Sequence, residues 1–443
     1  MVNFGVLASV ALTAAFTTVD GRPQHGHIHQ HRSSLVSAKV EAGPTPYTSN
    51  GTNSTSIGNT TLPDVIRGVN IGGWLILEKW MTPDIFENSD ATDQYTFDST
   101  DGAEAKLKQH WETYFTEADV KKIASLGINA LRIPIGYWDF FNDTTPYIRG
   151  ADACLEKAIG WARKAGLKVL VDCHGSPGSQ NGFDNSGRSG VVKWQTDDNL
   201  DVSIKALQNI AKKYGSTSYA DVVFAIQLVN EPISWAQNNF TLIQSWTKQA
   251  FHAVKSASTN PHLQIIMHDA FTTPWAWQDI GGELNGNAPL KTAPFAIDTH
   301  LYQNQVAADS LLTQEQHIAK ACNWTSSNLL PASSNLPVYV GEFSAQTNIC
   351  AYLNGTTVGG DKCYEDGCQC SCNVDIEDWK EPLVKATRRF LEAELDAFEK
   401  GGRGWFMWSW KGPGAWGLEN VVRFGVLGEK VTEREFPGQC GFS

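Results

Sequence analysis

Short apolar runs alternate with longer amphipathic stretches along the chain from residue 63 onward. Each run is apolar and rich in β-branched residues nearly throughout, which is typical of parallel strands buried on both faces. There are eight such runs, at residues 64–73, 128–136, 167–175, 221–232, 263–271, 293–302, 336–344 and 404–411. Stretches with helical periodicity separate several of them, at residues 116–127, 153–166, 200–215, 240–258 and 377–402. Because eight strands with intervening helices close a (β/α)8 TIM barrel, the pattern predicts an α/β fold with one barrel domain over residues 63–443 and loop elaborations at its C-terminal face.

The first 62 residues do not follow this alternation. Residues 1–21 contain an apolar stretch from Phe4 to Val19 that is too short for a comfortable membrane span, and we interpret them as a secretory signal peptide. Residues 22–62 are rich in His, Ser, Thr, Asn, Gly and Pro, a composition that favours a linker or pro-segment over a folded domain. A secreted, extracellular or cell-wall location is therefore expected.

Charge and cysteine content narrow the class of protein further. The 443 residues carry a net charge of −12, which argues against nucleic acid and anionic membrane surfaces as partners. Nine cysteines in an oxidising compartment should mostly be paired, with those of residues 350–372 stapling a loop and Cys173 left as a buried, unpaired thiol. Seven Asn-x-Ser/Thr sequons fit a glycoprotein, at Asn50, Asn53, Asn59, Asn142, Asn239, Asn323 and Asn354. We expect a monomer.

Polar and aromatic side chains mark the C-terminal ends of the predicted strands. In a TIM barrel these ends carry the functional residues, because the βα loops converge there on one mouth. Ionisable groups at the ends of apolar strands are costly unless they are paired or used. The residues in such positions are Asn70, Glu78, Arg132, His174, Asn230, Glu231, Asp269, His300, Tyr302, Glu342, Trp408 and Trp410. Each of these residues, taken alone, could instead have a purely structural role; Arg132, for example, could simply form an ion pair with a carboxylate.

Two of these residues are carboxylates on opposite sides of the predicted barrel. Glu231 follows the fourth strand in LVNEP, and Glu342 ends the seventh strand in VYVGEFS. Two facing carboxylates can hydrolyse a glycoside, since one protonates the leaving oxygen and the other attacks the anomeric carbon. A separation of ~5–5.5 Å predicts retention of configuration, and one of ~6.5–9.5 Å predicts inversion. No metal-ligand spacing such as HExxH occurs, and we expect neither a metal nor a cofactor.

Seven motifs follow one another in a characteristic order: RGVNIGGWLILEKW, LRIPIGYW, VDCHGSPGSQNGFDNSGRSG, QLVNEP, DTHLYQ, VGEFS and FMWSWK. Over about residues 63–440 this set resembles glycoside hydrolase family 5, and more narrowly its fungal exo-β-1,3-glucanase (glucan 1,3-β-glucosidase) branch. The resemblance implies a retaining β-glucanase that acts on β-1,3-glucan and releases glucose from the non-reducing end.

The resemblance also implies a role for each matching residue. Glu231 matches the general acid/base, and Glu342 matches the nucleophile. With these roles, Arg132 near Glu342 should keep the nucleophile ionised, while ionised Glu342 should raise the pKa of Glu231. The matching substrate-site residues are Glu78 for the hydroxyls of the terminal sugar, Arg132 beneath the nucleophile, Asn230 for the 2-hydroxyl, His174, His300 and Tyr302 along the reacting-sugar subsite, Phe183 as an aromatic clamp at the entrance, and Trp408 as the platform that closes the subsite. Trp410 is the alternative for the platform.

Departures from the family pattern leave the linkage open. Gln305 stands where family members with a paired aromatic clamp have an aromatic residue, and residues 350–372 form an insertion that could reshape the mouth. A β-1,6-glucanase, another β-glucosidase and a transglycosylase are therefore alternatives. A glucan-binding cell-wall protein is the non-enzyme alternative, which the presence of both glutamates disfavours. A serine esterase lacks support because the chain contains no G-x-S-x-G motif.

Overall fold

The computed structural model describes residues 61–442, apart from the side chains of residues 331 and 333. The predicted signal peptide, and the predicted linker up to residue 60, lie outside the described residues. The strands are β1 Ile66–Asn70, β2 Ala130–Gly136, β3 Lys168–Gly175, β4 Val223–Gln227, β5 Gln264–His268, β6 Phe295–His300, β7 Val338–Glu342, β8 Ile349–Ala351, β9 Thr357–Gly359, β10 Gln369–Cys370 and β11 Gly404–Met407.

Eight parallel strands close a barrel in the order β1-β11-β7-β6-β5-β4-β3-β2. Each of the eight apolar runs contains one barrel strand, so the predicted TIM barrel is confirmed. Several strands are shorter than the apolar run that predicts them. The run at 221–232, for example, leaves the sheet after Gln227, and its last residues turn into the mouth of the barrel.

Helices surround the barrel between the strands. They are α1 Gln94–Asp98, α2 Ala103–Thr113, α3 Glu117–Ser125, α4 Ala151–Ala165, α5 Asp197–Tyr214, α6 Phe240–Ala257, α7 Gln278–Asn285, α8 Gln314–Trp324, α9 Leu330–Ser333, α10 Glu381–Gly401 and α11 Leu418–Arg423. Local sequence fixes several helix ends. Thr116 and Asp119 form a capping box at the start of α3, and Gly166 ends α4 with a φ of +75°, a conformation that favours glycine.

The cysteine-rich insertion folds as a small antiparallel sheet in the order β10-β8-β9, directly after the β7 segment. Disulfides Cys350–Cys370 and Cys363–Cys368 cross-link it, as the sequence predicts. A third disulfide joins Cys322 at the end of α8 to Cys440 near the C-terminus. Cys173 is buried and free as predicted, and Cys154 and Cys372 are also unpaired.

Among residues 61–442, no helix is both long enough and apolar enough to cross a membrane.

Candidate active site

The strand ends bring most of the predicted residues into one connected hydrogen-bond network. Arg132 lies at its centre, on β2, and its side chain is fully buried. Its guanidinium donates to side-chain oxygens at the barrel mouth, at 2.8–2.9 Å: Asn70 Oδ1, Gln227 Oε1, Asn230 Oδ1 and Glu342 Oε1. It also lies 3.1 Å from the carboxylate of Asp172 on β3. One buried cation thus ties together strands from all around the barrel.

Glu342 ends β7 and lies within this network, with 4% of its surface exposed. Arg132 contacts Oε1 at 2.8 Å, and the hydroxyl of Tyr302 donates to Oε2 at 2.8 Å. Burial raises the pKa of Glu342, and the charges of His300 and Arg132 oppose that rise. The two contacts fix the carboxylate in one orientation.

Glu231 follows β4 and is 7% exposed. It has a φ of +45°, an uncommon backbone conformation for a non-glycine residue that is frequent at functional sites. His300 Nδ1 lies 2.7 Å from Oε1, and Asn185 Nδ2 donates to Oε2 at 2.8 Å. Burial disfavours the charged carboxylate, but the hydrogen bond and charge of His300 outweigh it and lower the pKa of Glu231.

This direction differs from the expectation that Glu342 raises the pKa of Glu231. The expectation considered only Arg132 and the two glutamates. In the structure His300 lies between the carboxylates, and it stabilises the charge on Glu231 more than Glu342 destabilises it. His300 is therefore in direct contact with Glu231 and dominates the electrostatics of this carboxylate.

The position of His300 also limits the distance between the two carboxylates. Its Nδ1 atom lies 2.7 Å from Glu231 Oε1 and 3.4 Å from Glu342 Oε2, so these two oxygens are at most about 6.1 Å apart. This limit applies to the facing oxygens, and it fits a retaining pair, whose carboxyl groups lie ~5–5.5 Å apart. The spacing fits direct attack by one carboxylate.

A wall of the site is formed by His174 and Trp408. His174 contacts Asp172 through Nδ1 at 2.6 Å, and the amide of Asn230 approaches its Nε2 at 3.3 Å. The ring of Trp408 stacks on the imidazole, with centroids 5.5 Å apart and planes 13° apart. Trp410 instead points toward α3, where its indole donates to Asp119. Of the two candidate platforms, the structure therefore brings Trp408 into the site and leaves Trp410 outside it.

The carboxylate of Glu78 occupies another side of the mouth. Trp80 donates to Oε2 at 2.9 Å, while Oε1 is buried without a hydrogen-bond partner. Burial, together with the charge of Asp184, raises the pKa of Glu78 well above its usual range. Next to it, the rings of Trp80 and Tyr302 both pack on Trp416, at 5.1 and 5.2 Å. An unpartnered buried oxygen beside aromatic rings suits the hydroxyls and apolar face of a sugar.

Exposed aromatic rings lie on the loops around Glu231. Phe183 is 42% exposed and precedes Asn185, which holds Glu231. Trp235 and Phe271 are 47% and 41% exposed, and their ring centroids are 5.6 Å apart. Exposed aromatic pairs at the rim of a polar cleft are typical platforms for sugars.

Two of the predicted residues, Asn70 and Asp269, hold neighbouring parts of the site in place through hydrogen bonds. Asn70 donates to the carbonyl of Gly341 and accepts from Arg132. Asp269 accepts from Thr299 and from the backbone of Phe271, and it does not contact either glutamate through a hydrogen bond. Both are therefore buried residues that support the site through their neighbours.

The groups at the mouth are poorly suited to holding a metal ion. Glu231, His268 and His300 place possible ligand atoms within 4.8 Å of one another. However, the backbone N–H of Ala270 donates to His268 Nδ1, which fixes the tautomer with its proton on Nε2 and leaves that atom without a lone pair. The clustered sulfurs of Cys350, Cys363 and Cys370 all belong to disulfides.

Several residues that hold the site together were not among the predicted ones. Asp172 and Asp298 lie inside strands rather than at their ends. Gln227 is the last residue of β4, but it lies inside the longer apolar run at 221–232, and Asn185 lies in a long loop after β3. A signal was present, because a charged residue inside an apolar strand must be paired. Asp172 and Asp298 each stand two residues before a candidate histidine, which places both side chains of each pair on the same face of the strand.

Comparison with known proteins gives consistent results. The profile of the cellulase family (glycosyl hydrolase family 5) matches residues 92–414. A glucan 1,3-beta-glucosidase of Blumeria graminis is 37% identical over 400 residues, which cover 85% of this chain and 90% of that protein. A probable glucan 1,3-beta-glucosidase A of Emericella nidulans is 37% identical over 398 residues, with 86% and 94% coverage. The crystal structure of a rutinosidase from Aspergillus niger shares the fold, with a TM-score of 0.63 at 18% identity and coverage of 79% of this chain and 90% of that one.

Proposed function

The chain belongs to glycosyl hydrolase family 5, and from this premise we propose that it is a retaining β-glucanase that removes glucose from the non-reducing ends of β-1,3-glucan. The observation that carries the proposal is the pair of buried glutamates on opposite strands, held within about 6.1 Å of each other by contacts to His300. Apart from His300, which contacts both, each glutamate has its own partners, so each can take a separate role.

Glu342 acts as the nucleophile. Its contacts with Arg132 and Tyr302 orient one oxygen and balance the negative charge, so the carboxylate can attack the anomeric carbon. A covalent glycosyl–enzyme intermediate forms as the bond to the leaving oxygen breaks.

Glu231 acts as the general acid and then as the general base. It delivers a proton to the leaving glycosidic oxygen, and the carboxylate that remains accepts a proton from the water that releases the sugar. Asn185 and His300 hold it toward the cleft during both steps.

The remaining residues position the reacting sugar. Asn230, anchored by Arg132, faces the 2-hydroxyl, and Trp408 and His174 provide a flat wall. The free oxygen of Glu78 accepts hydroxyls of the terminal glucose. The aromatic cluster of Trp80 and Trp416 beside Glu78 supports a closed end at this side of the site, and hence release of single glucose units.

The choice of β-1,3-glucan rests on the relatives, whose names describe glucan 1,3-beta-glucosidases. A second candidate activity is transglycosylation, in which a second sugar replaces water. The exposed pair Trp235 and Phe271 favours it, since this pair lies on the loops that follow Glu231 and β5 and could hold an acceptor. Phe183 contributes a further exposed aromatic ring near Glu231. Gln305 is also exposed, but its side chain provides no ring for stacking on a sugar.

We also propose that the protein works outside the cell as a monomer. The three disulfides, in a chain with seven sequons, support an oxidising, extracellular setting.

The test is a substrate panel with the full-length enzyme. Linear β-1,3-, β-1,6- and β-1,4-glucans are incubated separately, and the early products are separated by chromatography. We expect glucose as the only early product and β-1,3-glucan as the best substrate. Oligosaccharides as the first products would refute exo-action, and preference for β-1,6-glucan would refute the linkage. Products longer than the substrate would establish transglycosylation.

A further inference from the structure

We propose that Asp298 and His300 together store the proton that Glu231 donates during catalysis, with Asp298 as the positioning residue that keeps His300 ready to supply it. This inference rests on the proposed function, because it requires Glu231 to be the general acid.

The hydrogen-bond pattern of His300 carries the inference. Nδ1 lies 2.7 Å from Glu231 Oε1, and Nε2 lies 3.1 Å from Asp298 Oδ2. An ionised carboxylate can only accept hydrogen bonds, so both ring nitrogens must carry a proton to satisfy these contacts. His300 is therefore an imidazolium when both carboxylates are ionised.

His174 on β3 is paired with an aspartate in the same way as His300 on β6, but its second ring nitrogen has a different kind of partner. Asp172 contacts His174 Nδ1 at 2.6 Å, as Asp298 contacts His300. The second nitrogen of His174 faces the amide of Asn230 at 3.3 Å, however, and an amide N–H requires an acceptor there. The partners of His174 therefore do not require a proton on both of its ring nitrogens, although it too is paired with an aspartate two residues earlier.

The surroundings of Asp298 favour a permanent negative charge. Gln227 Nε2 donates to the same Oδ2 at 2.8 Å, and the guanidinium of Arg132 lies 3.9 Å away. A Cβ atom at position 341 would lie 2.0 Å from Asp298 Oδ1, so Gly341 provides the space that this carboxylate occupies. Burial opposes ionisation, but His300 and Arg132 outweigh it and lower the pKa of Asp298.

Charged and titratable groups face His300 from several strands: Asp298 on β6, Glu231 after β4, Glu342 on β7, and His268 and Asp269 on and after β5. Burial disfavours the charged imidazole, yet Glu342 and Asp298 outweigh it and hold the pKa of His300 well above its usual range. His268 adds no competing positive charge, since burial keeps its pKa well below the usual range.

The proton moves from His300 through Glu231 to the leaving oxygen, and a proton from water replaces it. When the sugar enters, His300 gives the proton on Nδ1 to Glu231 Oε1 and becomes neutral, while its Nε2 proton stays in the bond to Asp298. Glu231 passes the proton to the leaving oxygen as the glycosidic bond breaks and Glu342 bonds to the anomeric carbon. In the second half-reaction, the oxygen of a water molecule bonds to the anomeric carbon as the bond to Glu342 breaks. Glu231 takes the proton that this water loses and returns it to His300 Nδ1.

Asp298→Asn tests the proposal, because it removes the charge with little change in volume. The probes are laminaribiose, whose leaving group needs protonation, and 2,4-dinitrophenyl β-glucoside, whose leaving group does not. At pH 7 we expect kcat/KM for laminaribiose to fall by about 10²-fold or more and that for the dinitrophenyl glucoside to change by less than about threefold.

The pH profile gives a second readout. The stored proton is lost as the pH rises through the pKa of His300. Without the charge of Asp298 this pKa falls, so the alkaline limb of the kcat/KM profile for laminaribiose should move to lower pH by about 1–3 units. Equal losses on both substrates, or an unmoved alkaline limb, would overturn the proposal. Asp172→Asn is the matched control, for which we expect similar losses on both substrates and an unmoved alkaline limb.

Two further measurements keep the outcome decisive. If Asp298→Asn does not fold, ¹⁵N NMR of the histidines in the wild-type enzyme tests the proposal instead. The signal of His300 is assigned by its absence from the spectrum of His300→Gln. We expect this histidine to carry protons on both ring nitrogens at pH 7, and a neutral His300 would overturn the proposal. Glu231→Gln separates this inference from the proposed function. Full activity of Glu231→Gln on laminaribiose would refute Glu231 as the acid. If Glu231→Gln loses activity as expected, but Asp298→Asn affects both substrates equally, only the proton store is refuted.

Discussion

Replacement of Arg132 by lysine should disable the site although the charge is kept. The guanidinium serves five oxygen acceptors, on Asn70, Gln227, Asn230, Glu342 and Asp172. A lysine ammonium has three donors at a single point, so at least two buried acceptors lose their partner. Each unsatisfied buried group costs about 1–3 kcal/mol, which predicts a loss of about 2–6 kcal/mol in the free energy of unfolding.

The same substitution should change the pH dependence of activity. The Arg132 charge opposes the burial that raises the pKa of Glu342, so a displaced charge lets this pKa rise further. Because the nucleophile must be ionised, activity is lost as the pH falls through that pKa. The acidic limb of kcat/KM should therefore move to higher pH.

Thermal or urea unfolding and a pH–rate profile measure both effects. Arg163→Lys is the matched control, since Arg163 pairs with Asp221 in a partly exposed site, and such pairs contribute about 0–1 kcal/mol. If Arg132→Lys unfolded like the wild type and kept its acidic limb, the view of Arg132 as the electrostatic centre of the site would be wrong.

Three other variants test separate parts of the account. Glu342→Gln should abolish turnover and leave substrate binding largely intact in calorimetry, and more than a few per cent of residual activity, with translational misreading excluded, would contradict its role. Glu231→Ala should be rescued by azide on substrates with good leaving groups, yielding a β-glycosyl azide; a folded, substrate-binding variant without rescue would count against the acid/base role. Cys322→Ser removes the disulfide to Cys440, which joins residues 118 positions apart, and should lower the free energy of unfolding in urea by up to about 5 kcal/mol. Cys372→Ser, at a free and exposed cysteine, should leave the free energy of unfolding unchanged.

The barrel could be predicted because its strands are apolar on both faces. Runs such as residues 167–175 and 336–344 are distinct from the amphipathic helices around them, and the count of eight leaves one closed arrangement. The strand ends then place Glu231 and Glu342 on opposite sides of one mouth. This much follows from pattern and topology alone.

The contacts between side chains could not be predicted in the same way. The bridging position of His300, which reverses the expected direction of the Glu231 pKa, depends on a loop that turns Glu231 inward with a φ of +45°. Asn185 reaches Glu231 from a long loop after β3 whose course no periodicity describes. The placement of Trp408 rather than Trp410 in the site likewise depends on the chain path after β11.

Proton NMR of a linear β-1,3-glucan digest in its first minutes tests direct attack by Glu342 with Glu231 as acid. We expect glucose to appear first as the β-anomer and the α-anomer to form only later by mutarotation. Glucose that appears first as the α-anomer would mean inversion. It would contradict both the covalent intermediate and the close spacing of the two carboxylates.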